Sequence, residues 1–177
     1  MGKEIFFDNK IKLEECRKTI QSNLTKSLQN LKTIFESNDS VDVFDACKYD
    51  KIVFEPFTGQ NENLIEMLNQ HQTYIVTLKG VEYLLNKYPS KSFFARFGNV
   101  AGYDIESTDG EVVAECFAAV NYKNNQKLDK DLKKLDLVKS KTSCYEFFYD
   151  KAFEDKDYAL YETKFPGIQI VKFENLK

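Results

Sequence analysis

Between residues 9 and 37 the apolar side chains Ile11, Cys16, Ile20, Leu24, Leu28, Leu31 and Phe35 recur at steps of mostly three or four. Polar residues fill the intervening positions, so the period predicts one long amphipathic helix. The stripe is not a sustained strict heptad, which favours a packing helix over a coiled-coil seam. A polar break follows at residues 38–40, beginning with Asn38. Residues 41–57 show no clean period and hold one apolar patch, Ile52-Val53-Phe54. Residues 58–61 read as a loop. Two helices are then expected, over 62–69 and 72–87. In the second, Tyr74, Leu78, Val81 and Leu85 form one stripe with Glu82 at its edge, and Tyr88-Pro89-Ser90 ends it.

From residue 92 the period changes from helical to extended. Strands are predicted at 92–97, 103–108 and 111–120, with a turn at 98–102. Asp109-Gly110 between two extended runs is a strong hairpin signal. Leu128, Leu132 and Leu135 predict a helix over 124–137. Residues 143–149 read as a strand. The charged, Tyr-rich stretch 150–164 fits no element. Pro166-Gly167 turns the chain into a last strand at 168–173. This order predicts an α/β domain around a mixed sheet. The expected organisation is one domain, 1–177, with an N-terminal helical region over 1–61 and a core over 62–177.

Composition changes this picture little. The 177 residues suit one domain with a real core. With 15 Phe, 10 Tyr and no Trp, phenyl rings must fill much of that core. The four cysteines, Cys16, Cys47, Cys116 and Cys144, are scattered without a C-x-x-C pair, which argues against zinc. The first dozen residues do not resemble a signal peptide, and no apolar run approaches the ~20 residues that span a bilayer. A cytoplasmic location with reduced thiols and no membrane is therefore expected. The net charge of −3 argues against a protein that coats nucleic acid nonspecifically.

The hairpin register brings in chemistry. With Asp109-Gly110 as a two-residue turn, Thr108 pairs with Glu111, Ser107 with Val112, Glu106 with Val113, Ile105 with Ala114, and Asp104 with Glu115. Opposed side chains have Cβ atoms roughly 5 Å apart, and like charges there repel. A divalent cation between Asp104 and Glu115 turns that repulsion into coordination, since Mg²⁺ takes one or two carboxylates with water and substrate phosphate. Glu106 and Glu111 share this face. Ile105, Val112, Ala114, Cys116 and Ala118 form the other, which is expected to be buried. Two readings of Asp104 with Glu115 stand: a cation site, or a solvent-facing acidic pair.

The stretch Gly102-Tyr103-Asp104-Ile105-Glu106, the turn Asp109-Gly110 and the run Ala114-Glu115-Cys116-Phe117-Ala118 resemble the PD-(D/E)XK, or restriction-endonuclease-like, nucleases. That family carries an acidic residue on one strand and a (D/E)-x-K triplet on the next, with a helix packed after it. The resemblance covers residues 62–173. It implies a restriction-endonuclease-like core and a Mg²⁺- or Mn²⁺-dependent endonuclease that hydrolyses DNA, of restriction or repair type. It implies Asp104 and Glu115 as metal ligands and, from the preceding helix, Glu82 or Glu66, with Glu82 preferred. A boundary residue is the plainer reading of Glu82. Phe117 stands where the family has its lysine and can neither orient water nor stabilise charge. Lys127, Lys123 or Lys79 is the replacement the resemblance asks for, with Lys127 favoured. Family members that cut both strands are often dimers, so a homodimer joined through the N-terminal helix is one arrangement it implies.

Other features weigh less. Lys123, Lys127, Lys130, Lys133, Lys134, Lys139 and Lys141 outnumber the acids around them, which describes a solvated helix face before a phosphate-contacting one. Asn124-Asn125 reads as a helix cap before a DNA contact. His71, the only histidine, reads as a surface or capping residue. No triad or nucleotide-binding motif is present. The runner-up from another class is a nuclease-like fold that no longer cuts and serves as a binding or regulatory module. Phe117 is the residue that keeps it in play.

Overall fold

The computed structural model describes residues 2–37, 39–123 and 126–176. Asn38, Asn124 and Asn125, to which a break and a cap were assigned above, lie outside the described residues. The chain runs β1 (Lys3–Phe7), α1 (Lys10–Ser37), α2 (Ser40–Tyr49), β2 (Val53–Phe54), β3 (Asn61–Glu62), α3 (Leu64–Lys87), β4 (Phe93–Phe97), β5 (Ile105–Ser107), β6 (Val112–Ala118), α4 (Lys127–Asp136), β7 (Ser143–Tyr149), α5 (Asp155–Lys164) and β8 (Ile168–Lys172). Six strands form one mixed sheet in the order β1-β4-β5-β6-β7-β8. The pairs from β1 to β6 are antiparallel, and β6-β7-β8 are parallel.

The chain divides into two compact units, Met1–Lys10 with Thr73–Lys177, and Ile11–Gln72. This differs from the expected division after residue 61. The first strand belongs to the sheet rather than to a helical extension. In β1, Ile5 and Phe7 are buried and alternate with exposed Glu4 and Phe6, a strand pattern too short to stand out beside the polar start. The second boundary falls inside α3. That element is one continuous helix where two were expected, so residues 70 and 71 make no break.

In the Ile11–Gln72 unit, α1 buries Leu13, Cys16, Ile20 and Leu31 together with Asn23 and Ser27. Ile11, Leu28 and Phe35, expected on the buried stripe, are exposed. The packed face is rotated because two polar side chains belong to it. Asn23 Nδ2 donates to the Pro56 carbonyl at 3.0 Å, and Ser27 Oγ accepts from the Phe54 N–H at 2.9 Å. Those bonds satisfy the irregular backbone beside the short β2–β3 hairpin, as buried polar groups require.

In the sheet unit, α3 covers one face. At Gly80 an added Cβ would lie 2.8 Å from the Phe147 ring and 2.9 Å from Ile105 Cδ1, so only glycine lets the helix come this close. Tyr83 packs edge-on against Phe147 at 5.3 Å. The opposite face carries α4 and α5. There Val113, Phe117, Cys144, Phe148 and Ile168 of the strands meet Leu128, Leu132, Leu135 and Tyr161 of the helices. Both parallel crossovers therefore lie on one side, as the handedness of such connections requires. The stretch left unassigned above forms α5, started by a capping box between Glu154 and Asp157. Among the described residues no helix is long and apolar enough to cross a membrane, and the four cysteines are free.

Candidate functional site

Ile105 pairs with Ala114 and Glu106 with Val113, the expected register. The connection is longer than two residues. Ser107 closes a turn onto the Gly110 N–H at 2.9 Å, and its hydroxyl accepts from the Val112 N–H at 2.9 Å. The expected ladder pairs Ser107–Val112 and Thr108–Glu111 are replaced by this side-chain closure. Continuing the register one step beyond Ile105 sets Asp104 against Glu115. Asp104 Oδ2 accepts from the Cys116 N–H at 2.8 Å, which fixes its carboxylate at the hairpin's edge.

On the acidic face, Glu115 does not face solvent, whereas Glu111 is exposed and Asp104 and Glu106 are half-buried. All of Val112 to Phe117 is buried, and Glu115 is 3% exposed. The helix α4 covers this face, and it brings Asp131, which is 5% exposed. The neighbouring strand brings Glu146, in direct register with Glu115 and fully buried. Among the described residues neither oxygen of Glu146 has a hydrogen-bond partner, and Oδ2 of Asp131 has none. Three buried carboxyl groups, Glu115, Asp131 and Glu146, thus gather beside half-buried Asp104. Burial pushes the pKa of Asp104 up, against the Cys116 N–H and the nearby Lys127 and Lys134. Burial, and then the charge of Asp104, push Glu115 up to about 7. Burial raises Asp131 despite its bond to Lys127. Burial, with the charges of Asp131 and Glu115, raises Glu146 well above the ordinary value. Desolvation dominates throughout, as it does for carboxylates away from water.

Two lysines answer these acids, both from α4. Lys127 Nζ donates to Asp131 Oδ1 at 2.7 Å. Burial works against its charge, but Asp131, Asp104 and Glu115 together outweigh that and hold its pKa above the ordinary lysine value. Lys134 pairs with Glu115 and donates to the Gly102 carbonyl at 2.6 Å. The side chains of Lys127 and Lys134 remain 44% and 42% exposed, so they form the solvent edge of the cluster.

Of the residues picked from the sequence, Asp104, Glu115 and Lys127 come together. Glu82 does not join them. It lies on α3, whose residues Gly80 and Tyr83 pack on the face of Ile105 and Phe147, so the sheet stands between it and the cluster. Lys79 shares that helix and stands 5.8 Å from the Phe173 ring centroid. Glu66 belongs to the Ile11–Gln72 unit. Lys123 stands 5.4 Å from the Tyr122 ring centroid. Glu106 is drawn aside by Arg96 at 2.8 Å, and Glu111 by Lys91 at 2.7 Å. Phe117 is buried and stacks on Phe148 at 5.4 Å. His71 lies on α3, where burial lowers its pKa.

Asp131, Glu146 and the Glu115 partner Lys134 were not singled out from the sequence. Asp131 and Lys134 were hidden in a charge-rich helix. Glu146 was hidden in an apolar strand whose parallel register only the structure gives. Among the described residues no three His, Cys, Asp or Glu side chains form a ready-made metal-ligand group. Asp104 and Glu115 are the two carboxylates that could hold a cation, with oxygens of Glu146 and Asp131 that lack a hydrogen-bond partner among the described residues nearby. An open pocket of about 450 Å³, lined by Ile34, Asp42, Asp45, Ala46, Asp50 and Ile52, lies in the other unit and shares no residue with this cluster. Compared with known proteins, the chain matches no family model and no curated protein.

Proposed function

We propose that the protein is a Mg²⁺- or Mn²⁺-dependent endonuclease acting on DNA, built on a restriction-endonuclease-like core. The observation that carries this reading is the meeting of half-buried Asp104 with the buried acids Glu115, Asp131 and Glu146, beside Lys127 and Lys134. Carboxylates so placed repel one another and have given up much of their water. The order α3, β4, β5, β6, α4, β7, with a parallel return to β6, supports the resemblance noted in the sequence.

Asp104 and Glu115 are the residues that hold the cation in this reading. A cation bound there supplies Lewis acidity toward a phosphate oxygen and a more acidic water. The chain supplies the rest. The Cys116 N–H fixes the Asp104 carboxylate. Lys127, at the solvent edge and near both acids, presents a positive charge where a phosphodiester arrives and takes the part of the missing motif lysine. Lys130 and Lys133 are exposed on the same helix and extend a track for the phosphate backbone. DNA is the partner this implies, in a cytoplasmic setting, and a homodimer is the arrangement that would cut both strands.

The second reading, a non-catalytic module, draws on the 3% exposure of Glu115 and on Phe117, which fills the motif position with core. Incubating the protein in excess with supercoiled plasmid, linear duplex and single-stranded DNA, with Mg²⁺ or Mn²⁺, separates the two. The nuclease reading expects metal-dependent cutting that is lost in Asp104→Ala. A folded protein that cuts none of the three substrates supports the module.

A further inference from the structure

Lys134 has the contacts of a cation parked on a carboxylate. Its Nζ pairs with Oε1 of Glu115. The same ammonium donates to the Gly102 carbonyl at 2.6 Å and stands 4.7 Å from the Tyr103 ring centroid. Those two contacts anchor it without Glu115. Lys127 differs, since it is committed to another acid, Asp131, at 2.7 Å. No ammonium can come from β6 itself, because position 117 points to the same face as Glu115 and is occupied by Phe117 stacked on Phe148. Lys134 reaches Glu115 from the helix above instead.

We propose that Lys134 is a displaceable counter-ion: it holds Glu115 while no divalent cation is bound, and a cation that takes Glu115 frees it, still anchored at Gly102 and Tyr103, to meet a substrate phosphate. This rests on the cation site of the preceding section. Glu115 has 4% of its side chain exposed, so with no divalent cation bound its charge is compensated by Lys134 rather than by bulk water. Exchange for a cation keeps the buried charge compensated. The competition is reciprocal: whatever Lys134 costs the cation in affinity, the cation costs Lys134 in attachment.

The test is Mn²⁺ binding, followed by electron paramagnetic resonance, to the wild type, Lys134→Gln and Lys134→Arg, each checked for folding by thermal melting. Acylation of Lys134 by an amine-selective reagent, read by mass spectrometry with and without Mn²⁺, runs beside it on the wild-type chain. Lys134→Gln is expected to bind Mn²⁺ more tightly, on the order of tenfold, with Lys134→Arg near the wild type. Acylation of Lys134 is expected to speed up when Mn²⁺ is added. Equal Mn²⁺ affinity in the wild type and Lys134→Gln, with unchanged acylation, overturns the exchange and leaves the cation site standing. No Mn²⁺ bound by either protein overturns both. Should Lys134→Gln fail to fold, the acylation rate decides alone.

Discussion

Two stretches of one sheet face differ sharply. Across the parallel β6–β7 ladder, Val113 meets Cys144, Glu115 meets Glu146, and Phe117 meets Phe148. The outer pairs belong to a close-packed apolar cluster with Leu128, Leu132 and Leu135 of α4. The middle pair sets two acids side by side, both buried, under Asp131 of the same helix. The backbone, the strands and the covering helix are shared, so only the side chains differ. Apolar residues in the middle row would satisfy every packing demand that its neighbours satisfy. Buried acids there cost stability, and sites that trade stability for function break local rules in this way.

The largest effect should come from the apolar rows. Phe117→Ala removes a stacked ring from a filled core and should lower stability by about 3–5 kcal/mol in urea unfolding. A loss under ~1 kcal/mol would mean that this row is not the close-packed half of the comparison. The acidic row should behave in the opposite sense. Glu146→Met keeps the volume and removes an unpartnered buried acid, so in chelator it should stabilise the fold by roughly 2–3 kcal/mol. A destabilised Glu146→Met would make the carboxyl structural.

The pH dependence sharpens the same contrast. Burial and the charge of Asp104 push the Glu115 pKa up to about 7 in the folded protein, against the pull of Lys134, whereas an unfolded chain titrates near the ordinary 4.5. Between those values the folded state binds more protons, so this contribution to stability falls as pH rises and is flat below and above. The wild type should lose on the order of 1–2 kcal/mol relative to Glu115→Gln between about pH 5 and pH 8. Parallel pH profiles for the two proteins would contradict the assignment. The smallest effect lies outside the buried row. Glu111 is 69% exposed and pairs with Lys91, and Glu111→Gln should change stability by less than ~0.5 kcal/mol. A larger loss would show that acids on this sheet matter wherever they sit.

Much of this arrangement was legible in the chain. The stripe Tyr74, Leu78, Val81 and Leu85 is buried as its period requires, and β7 covers the expected residues. The register of Asp104 and Glu115 followed from a turn signal and simple counting, even though Ser107 and Asp109 build the turn differently. What was hidden has physical reasons. The face of α1 turns on Asn23 and Ser27, whose burial depends on backbone groups more than twenty residues away. The start of α5 is capped by Glu154 and Asp157 rather than by a serine or threonine. The covering of the acidic face needed the crossover of α4, which no local pattern states. Glu146 and Lys134 acquire meaning only after that crossover is known.

In the function proposed above, Asp104 and Glu115 hold a divalent cation. A Mn²⁺ titration of the wild type and Glu115→Gln, followed by water-proton relaxation, tests it most directly. Saturable binding by the wild type, lost in a Glu115→Gln protein that remains folded, is the expected result. Equal binding by both proteins, or none by the folded wild type, would contradict it.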